Sequence, residues 1–332
     1  MAISNVQSAA ASAPAPSQSS PLVMRIIGAV ALAHLINDLI QSVLPSIYPM
    51  LKANYGLTFT QVGLITLTFQ LTASLLQPWI RYDSVRLPMQ WLLPAGPVCT
   101  LVGILMMSVV GSFPLILLAA GLIGIGSSTF HPEASRVARL ASGGRFGLAQ
   151  STFQVGGNAG SAFGPLLAAA IIIPYGQGHV AWFGLFAVFA LFVLYRISRW
   201  YANHLSLFKL KQGQAATHGL SRSRVISALV VLGLLVFSKY FYMASFTSYF
   251  TFYLIEKFDL SVASSQLHLF LFLGAVAAGT FFGGPIGDKI GRKAVIWFSI
   301  LGVAPFTLVL PHVDLFWTSL LSVVIGFILA SA

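Results

Sequence analysis

Charge is what this sequence has least of. Seven residues are acidic and eighteen are Lys or Arg among 332, so charged residues make up 8% of the chain, against about 25% in an ordinary soluble domain. So little charge cannot clothe a surface that faces water. A soluble enzyme, a nucleic-acid-binding module and a disordered protein are thereby excluded. Cysteine is nearly absent too: Cys99 is the only one, which rules out an intrachain disulfide and a cysteine-built metal site. Cys99 lies in an apolar run and reads as a small packing residue. What fills the chain is apolar. Hydrophobic residues reach 57% and the mean hydropathy is +0.87, the profile of an all-α polytopic membrane protein.

Met1 to Ser20 carries no charge and is rich in Ala, Ser, Pro and Gln. Residues 1–24 therefore read as a disordered N-terminal tail; a secretory signal would need a basic start followed at once by an apolar core. Beyond it, runs long enough to span a bilayer fall at about 26–50, 60–80, 90–111, 114–132, 146–173, 179–198, 225–255, 262–283, 294–311 and 315–332. With the N-terminus placed in the cytoplasm, fifteen Lys and Arg fall in cytoplasmic segments, only Lys52 and Lys257 fall outside, and Lys239 lies within a span. That asymmetry predicts an N-in topology. The longest basic, polar loop follows the sixth span. It divides the chain into a six-helix bundle over 25–200, a cytoplasmic linker over 201–223 and a partial second bundle of four spans over 224–332. Two bundles joined by such a loop are the layout of a secondary transporter. The second bundle is then two helices short, with about ten of twelve spans present, and the chain is expected to be truncated.

Ionisable residues inside spans are costly and mark function by default. His34 and Asp38, four apart in the first span, share one helix face, with Asn37 beside them. Buried there, Asp38 is a candidate to bind and release a proton, and the alternative is a hydrogen-bonded packing cluster. His131, Glu133, Arg136 and Arg139 stand around Pro132 at the expected end of the fourth span. Glu133 and Arg136 are spaced to pair; the alternative is a charged interfacial cap, and Arg139 reads as snorkelling to the interface. Lys239, amid Phe237-Ser-Lys-Tyr-Phe-Tyr242, lies too deep to snorkel easily and is a candidate to attract an anion or pair with Asp38 or Glu133. Tyr242 is a candidate for a cavity wall; Tyr249 and Tyr253 read as an outer aromatic belt. Gln154 and Asn158, again four apart, are the neutral polar pair best placed to face a cavity, while Gln70, Gln150, Gln266 and His268 read as hydrogen bonds between helices.

Two motifs are longer-range. Gly284-Pro-Ile-Gly-Asp288-Lys289-Ile-Gly291-Arg292-Lys293 joins the eighth and ninth spans. Gly291 permits a tight turn, Asp288 suits a basic neighbour or a helix N-terminus, and the basic cluster stays on the cytoplasmic side. Gly160-Ser-Ala-Phe-Gly164-Pro165 sets small residues four apart, for close helix packing, before a bend. The motif from Gly284 resembles the signature loop of the major facilitator superfamily. The motif from Gly160 is similar to the glycine-proline motif of that superfamily's proton-driven antiporters. The segments Ser128–Arg139, Ser151–Gly160 and Phe237–Ser245, with the His34…Asn37-Asp38 pattern, resemble its fosmidomycin-resistance exporters. The likeness runs from about residue 26 to the end. One departure stands out: where the first copy of the signature belongs, Arg81-Tyr-Asp-Ser-Val85-Arg86-Leu-Pro88 matches only at Arg86.

The resemblance implies the major facilitator fold and a proton-driven antiporter of the bacterial inner membrane. It would export fosmidomycin or related small anionic or amphipathic compounds. In that cycle Asp38 or Glu133 takes the proton, and Lys239 with Arg136 holds the phosphonate. The implied partners are the substrate, protons and the bilayer, with no nucleic acid, cofactor or metal, in a monomer. Two alternatives remain open at this point: a superfamily transporter of a sugar, organic anion or other drug, and an inactive truncated fragment. An enzyme is not expected, because His131-Pro-Glu133 lacks the His-Glu-x-x-His spacing of a metalloprotease.

Overall fold

The computed structural model describes residues 22–86, 91–211 and 221–331, without the side chains of 81, 83–86, 205–211, 284, 285, 288 and 292. All the regular structure described is helical: α1 Met24–Ser46, α2 Tyr48–Tyr55, α3 Phe59–Arg86, α4 Leu92–Val109, α5 Phe113–Ala141, α6 Phe146–Leu167, α7 Ile173–Tyr175, α8 Phe183–Lys211, α9 Arg222–Phe258, α10 Val262–Ile290, α11 Arg292–Leu301, α12 Ala304–Val309 and α13 Leu315–Leu329. Grouped by continuity, nine described stretches are long and apolar enough to cross a membrane, and α13 is a shorter apolar helix. These match the ten expected spans in number and order.

Proline and glycine explain where spans bend. Pro49 has no N–H to give to Pro45, and the first span breaks between α1 and α2. A π-turn at Ala168–Ile172 follows Pro165 and joins α6 to α7, absorbing the expected bend. Pro305 takes the place of a donor to Leu301 and splits the ninth span into α11 and α12.

One boundary differs in a way that matters. The sequence places the end of the fourth span at Pro132, but α5 runs on to Ala141 with Pro132 inside it. Membrane helices tolerate proline because side chains and neighbours satisfy the freed carbonyls. Here Pro132 leaves the Ser128 carbonyl without its helical donor, and α5 runs on through it packed closely between α3 and α4. Likewise, α8 continues to Lys211, into the stretch expected to be linker.

The helices from α1 to α8 form the first bundle. Its core runs through Ile36, Leu44, Ile65, Ile104, Ile123 and Phe183, with a second layer at Val30, Leu93, Phe130, Val137 and Tyr201. The helices α9 to α13 form the second bundle around Phe250, Leu269, Phe272, Ile325 and Leu329. Within the first bundle α1 lies backbone to backbone against α6. A Cβ at Gly156 or Gly160 would strike the main chain of Ala31 or Leu35, so the glycine spacing read from the sequence is a contact seam. The second bundle repeats the device, with Gly279 and Gly283 of α10 against Phe327 and Ser331. Across the bundles, α6 packs on α10.

Candidate functional site

A cavity of about 910 Å³ lies between the bundles, walled by α1, α3, α5, α6, α9 and α10. One end is shut. There Thr66 meets Tyr48 at 2.9 Å and Ser248 at 3.1 Å, Phe59 packs edge-on against Phe252, and the fully buried Gln266 donates to the Ser46 carbonyl at 2.7 Å. Towards the other end Ser74, Gln150 and Tyr240 of the wall are exposed. Carboxamides and hydroxyls supply most of the polar lining, among them Gln41, Gln70, Gln77, Gln154, Asn158 and Thr247, beside apolar residues such as Phe69, Phe153 and Leu273. The described lining residues include one carboxylate, Asp38, two imidazoles, and no Lys or Arg.

These three ionisable groups form one cluster. Helical spacing stacks His34 above Asp38 on the cavity face of α1, with Nε2 3.2 Å from Asp38 Oδ2. The other carboxylate oxygen accepts from Asn37 Nδ2 at 3.0 Å and lies 3.7 Å from His131 Nε2 on α5. His34 is clamped between Phe153, stacked at 4.0 Å between ring centroids, and His131, met edge-on at 5.0 Å. Its Nδ1 lies 2.7 Å from the Phe153 carbonyl. A carbonyl only accepts, so Nδ1 carries the hydrogen. The Nε2 atom then faces a carboxylate oxygen. Two bare acceptors at that distance repel, so a proton or another cation belongs between them. The three ligand atoms lie within 4.8 Å of one another, the single group of His, Cys, Asp or Glu among the described residues spaced to hold a metal ion.

The other residues singled out in the sequence fall into two sets. Gln154 and Asn158 share the wall with the cluster, and Asn158 donates to Thr280 at 2.8 Å, bridging α6 to α10. Glu133 and Arg136 do pair, at 3.2 Å, but behind the wall. Glu133 is fully buried, not an interfacial cap, because α5 continues past it, and Arg136 also reaches the Tyr201 hydroxyl at 3.5 Å. Lys239 and Tyr242 do not contribute to the lining; Tyr242 bonds Thr307 at 2.7 Å inside the second bundle. Tyr253 and Tyr249 donate to the carbonyls of Leu310 and Phe59. Gly160 and Gly164 sit on the α1 seam. In the signature loop α10 ends at Ile290, Gly291 takes φ +94°, and α11 starts at Arg292. Lys289 and Lys293 are exposed. The side chains of Gly284, Asp288 and Arg292, and most of 81–88, lie outside the described residues.

His131 is the residue whose place the sequence understates. Its neighbours in the chain group it with the charges around Pro132, whereas the structure turns it onto Asp38. His131 is four residues beyond Ser127, which donates to Gln41 of α1 at 3.2 Å, so both positions share the α5 face towards α1, a direction that only the tertiary contact reveals.

Residues 30–332 match the family model of the Major Facilitator Superfamily. The chain belongs to that superfamily. It is 58% identical over 332 residues, all of this chain and 82% of the relative, to the fosmidomycin resistance protein of Escherichia coli strain K12. It is also 38% identical over 293 residues to YfnC of Bacillus subtilis strain 168, an uncharacterised transporter of the superfamily, covering 87% of this chain and 71% of that one. Among solved structures, the inward-facing, occupied form of a bacterial homologue of the human lysosomal transporter Spinster superposes with a TM-score of 0.73 at 15% identity, over 94% of this chain and 73% of that one. The unoccupied inward-facing form gives 0.71. The major facilitator fold expected from the motifs is therefore present, in a multi-pass membrane protein of a transporter family similar to a fosmidomycin resistance protein.

Proposed function

We propose that this major facilitator chain is a proton-driven antiporter. It exports fosmidomycin or related small anionic or amphipathic compounds across the bacterial inner membrane, working as a monomer with its N-terminus in the cytoplasm. The observation that carries the reading is Asp38, the carboxylate of the cavity wall, held between two imidazoles in a cavity shut at one end. The relative named for fosmidomycin resistance supports the substrate. Asp38 and His34 share the transported proton. The substrate seats among the carboxamides and hydroxyls of α3, α6 and α9, with Gln154 and Asn158 beneath the cluster. Glu133 and Arg136 brace α5 against α8 and so hold His131 in place. Opening the shut end then breaks the Gln266–Ser46 and Thr66–Ser248 contacts while the bundles rock.

Inside-out vesicles test this directly. Fosmidomycin added to vesicles holding an acid lumen should release protons to the outside, read by a pH-quenched dye, and Asp38→Asn should abolish the response. Fosmidomycin-dependent proton release that persists in Asp38→Asn would remove Asp38 from the mechanism. A silent wild-type chain confirmed in the membrane would remove the substrate assignment.

A further inference from the structure

The cluster has the construction of a metal site, and its parts can be checked one by one. Metal-binding histidines characteristically donate their second ring N–H to a carbonyl or carboxylate, which fixes the tautomer and aims the remaining lone pair. His34 is held in this way: Nδ1 faces the Phe153 carbonyl at 2.7 Å and Nε2 faces Asp38. Asp38 is itself steadied by Asn37. Ligands about 2.0–2.2 Å from a shared tetrahedral ion stand roughly 3.4 Å apart. His34 Nε2 lies 3.2 Å from Asp38 Oδ2 and His131 Nε2 3.7 Å from Asp38 Oδ1, so each imidazole stands near that distance from one oxygen of the carboxylate, and one ligand atom from each of the three residues falls within 4.8 Å of the others. His131 and Asp38 line the cavity, so an ion has a path in and an open position towards water.

We propose that His34 Nε2, an oxygen of Asp38 and His131 Nε2 form a three-ligand site for a divalent transition metal ion. Two imidazoles and one carboxylate select zinc, cobalt, nickel or copper over magnesium and calcium, which favour all-oxygen shells. The donor set leaves a fourth position facing the cavity, as in three-ligand zinc sites that keep a water. An ion there occupies the space between His34 and Asp38 that a proton otherwise fills, so metal and proton compete for the same side chains. The inference shares its residues with the proposed proton site but rests on their geometry alone.

The test uses the full chain, purified without a histidine tag in detergent and stripped with a chelator, and titrated with cobalt(II). One equivalent should bind, with the intense visible absorption of a low-coordinate site, and zinc should bleach it. His131→Gln should weaken cobalt binding by at least about tenfold, since changes even to outer-shell partners lower affinity roughly 10–100-fold. A variant with His204, His268 and His312 changed to Gln should bind as the unaltered chain does. His131, with a side chain 25% exposed, can be changed without loading the core, and it decides the matter if Asp38→Asn does not fold. No stoichiometric cobalt signal, or a signal of unchanged affinity in His131→Gln, overturns the site. Cobalt bound by a chain that shows no proton-coupled efflux would sink the proposed function alone. Coupled efflux without cobalt binding would sink the metal site alone.

Discussion

Replacing Gly160 with alanine should destabilise the protein without removing any ionisable group. A Cβ there would lie against the Leu35 carbonyl oxygen, 2.7 Å from its carbon and 2.9 Å from Cα. Carbon atoms settle near 3.5–4.0 Å, so α1 and α6 must part by about 0.8 Å. Backbone cannot swing aside as a flexible side chain would, and overpacking of this kind costs about 1–3 kcal/mol. The same separation stretches the bond between His34 Nδ1 and the Phe153 carbonyl, which spans α1 and α6 at 2.7 Å, to the limit of hydrogen bonding near 3.5 Å, and a buried bond left unmade adds about 1–3 kcal/mol. Together the loss should be about 2–6 kcal/mol. Thermal unfolding in detergent, followed by tryptophan fluorescence at one scan rate, reads it as a lowered midpoint. Gly28→Ala is the matched control on α1: nothing lies within 4 Å of its Cβ position, and alanine is the better helix former by about 1 kcal/mol. A Gly160→Ala midpoint equal to that of the unaltered chain would refute the seam.

Other outcomes follow from the same geometry. Glu133→Gln removes the fully buried carboxylate that pairs with Arg136 and should cost up to about 3–5 kcal/mol, while the double change Glu133→Leu with Arg136→Met should recover much of the loss in the same unfolding assay. Gln266→Leu removes a buried bond at the shut end, worth about 1–3 kcal/mol. It should shift the conformational balance by roughly 5–150-fold, seen as a new long distance between spin labels on α2 and α10; an unchanged distance distribution would deny Gln266 that role. Gly291→Ala forces an L side chain to φ +94°, which costs about 1–3 kcal/mol. It should lower the unfolding midpoint while Gly147→Ala, with open space at its Cβ, does not.

The order of spans is legible in the sequence because hydropathy acts over whole spans. Twenty apolar residues outvote any single proline, and the order of spans survives the break at Pro49 and the split at Pro305. Local ends are less legible. Pro132 looks like a terminus because a lone sequence does not show how closely α3 and α4 pack along α5. Within the site, spacing of four correctly pairs His34 with Asp38 and Gln154 with Asn158, and spacing of three pairs Glu133 with Arg136, since those relations lie on one helix. Which way each face points is a tertiary matter. Glu133 and Arg136 turn towards Tyr201 and Lys239 stands off the wall, while His131 crosses to Asp38 from another helix. Those placements depend on how α5 rolls against α1 and α8, and no periodicity within one span encodes that.

The glycine seams have a mechanical meaning as well. Every described glycine whose Cβ would strike the backbone of another helix faces a neighbour in its own bundle: α6 on α1, α4 and α3 on α5, α10 on α13. Across the bundles α6 also packs closely on α10, but no described glycine there is driven into a facing backbone, and hydrogen bonds run through side-chain tips such as Thr66 with Ser248 and Asn158 with Thr280. Interlocked backbones resist shear, whereas side-chain tips can exchange partners over a few ångströms. The molecule therefore has welded joints inside each half and a slip plane between them, and Asp38 lies beside that plane.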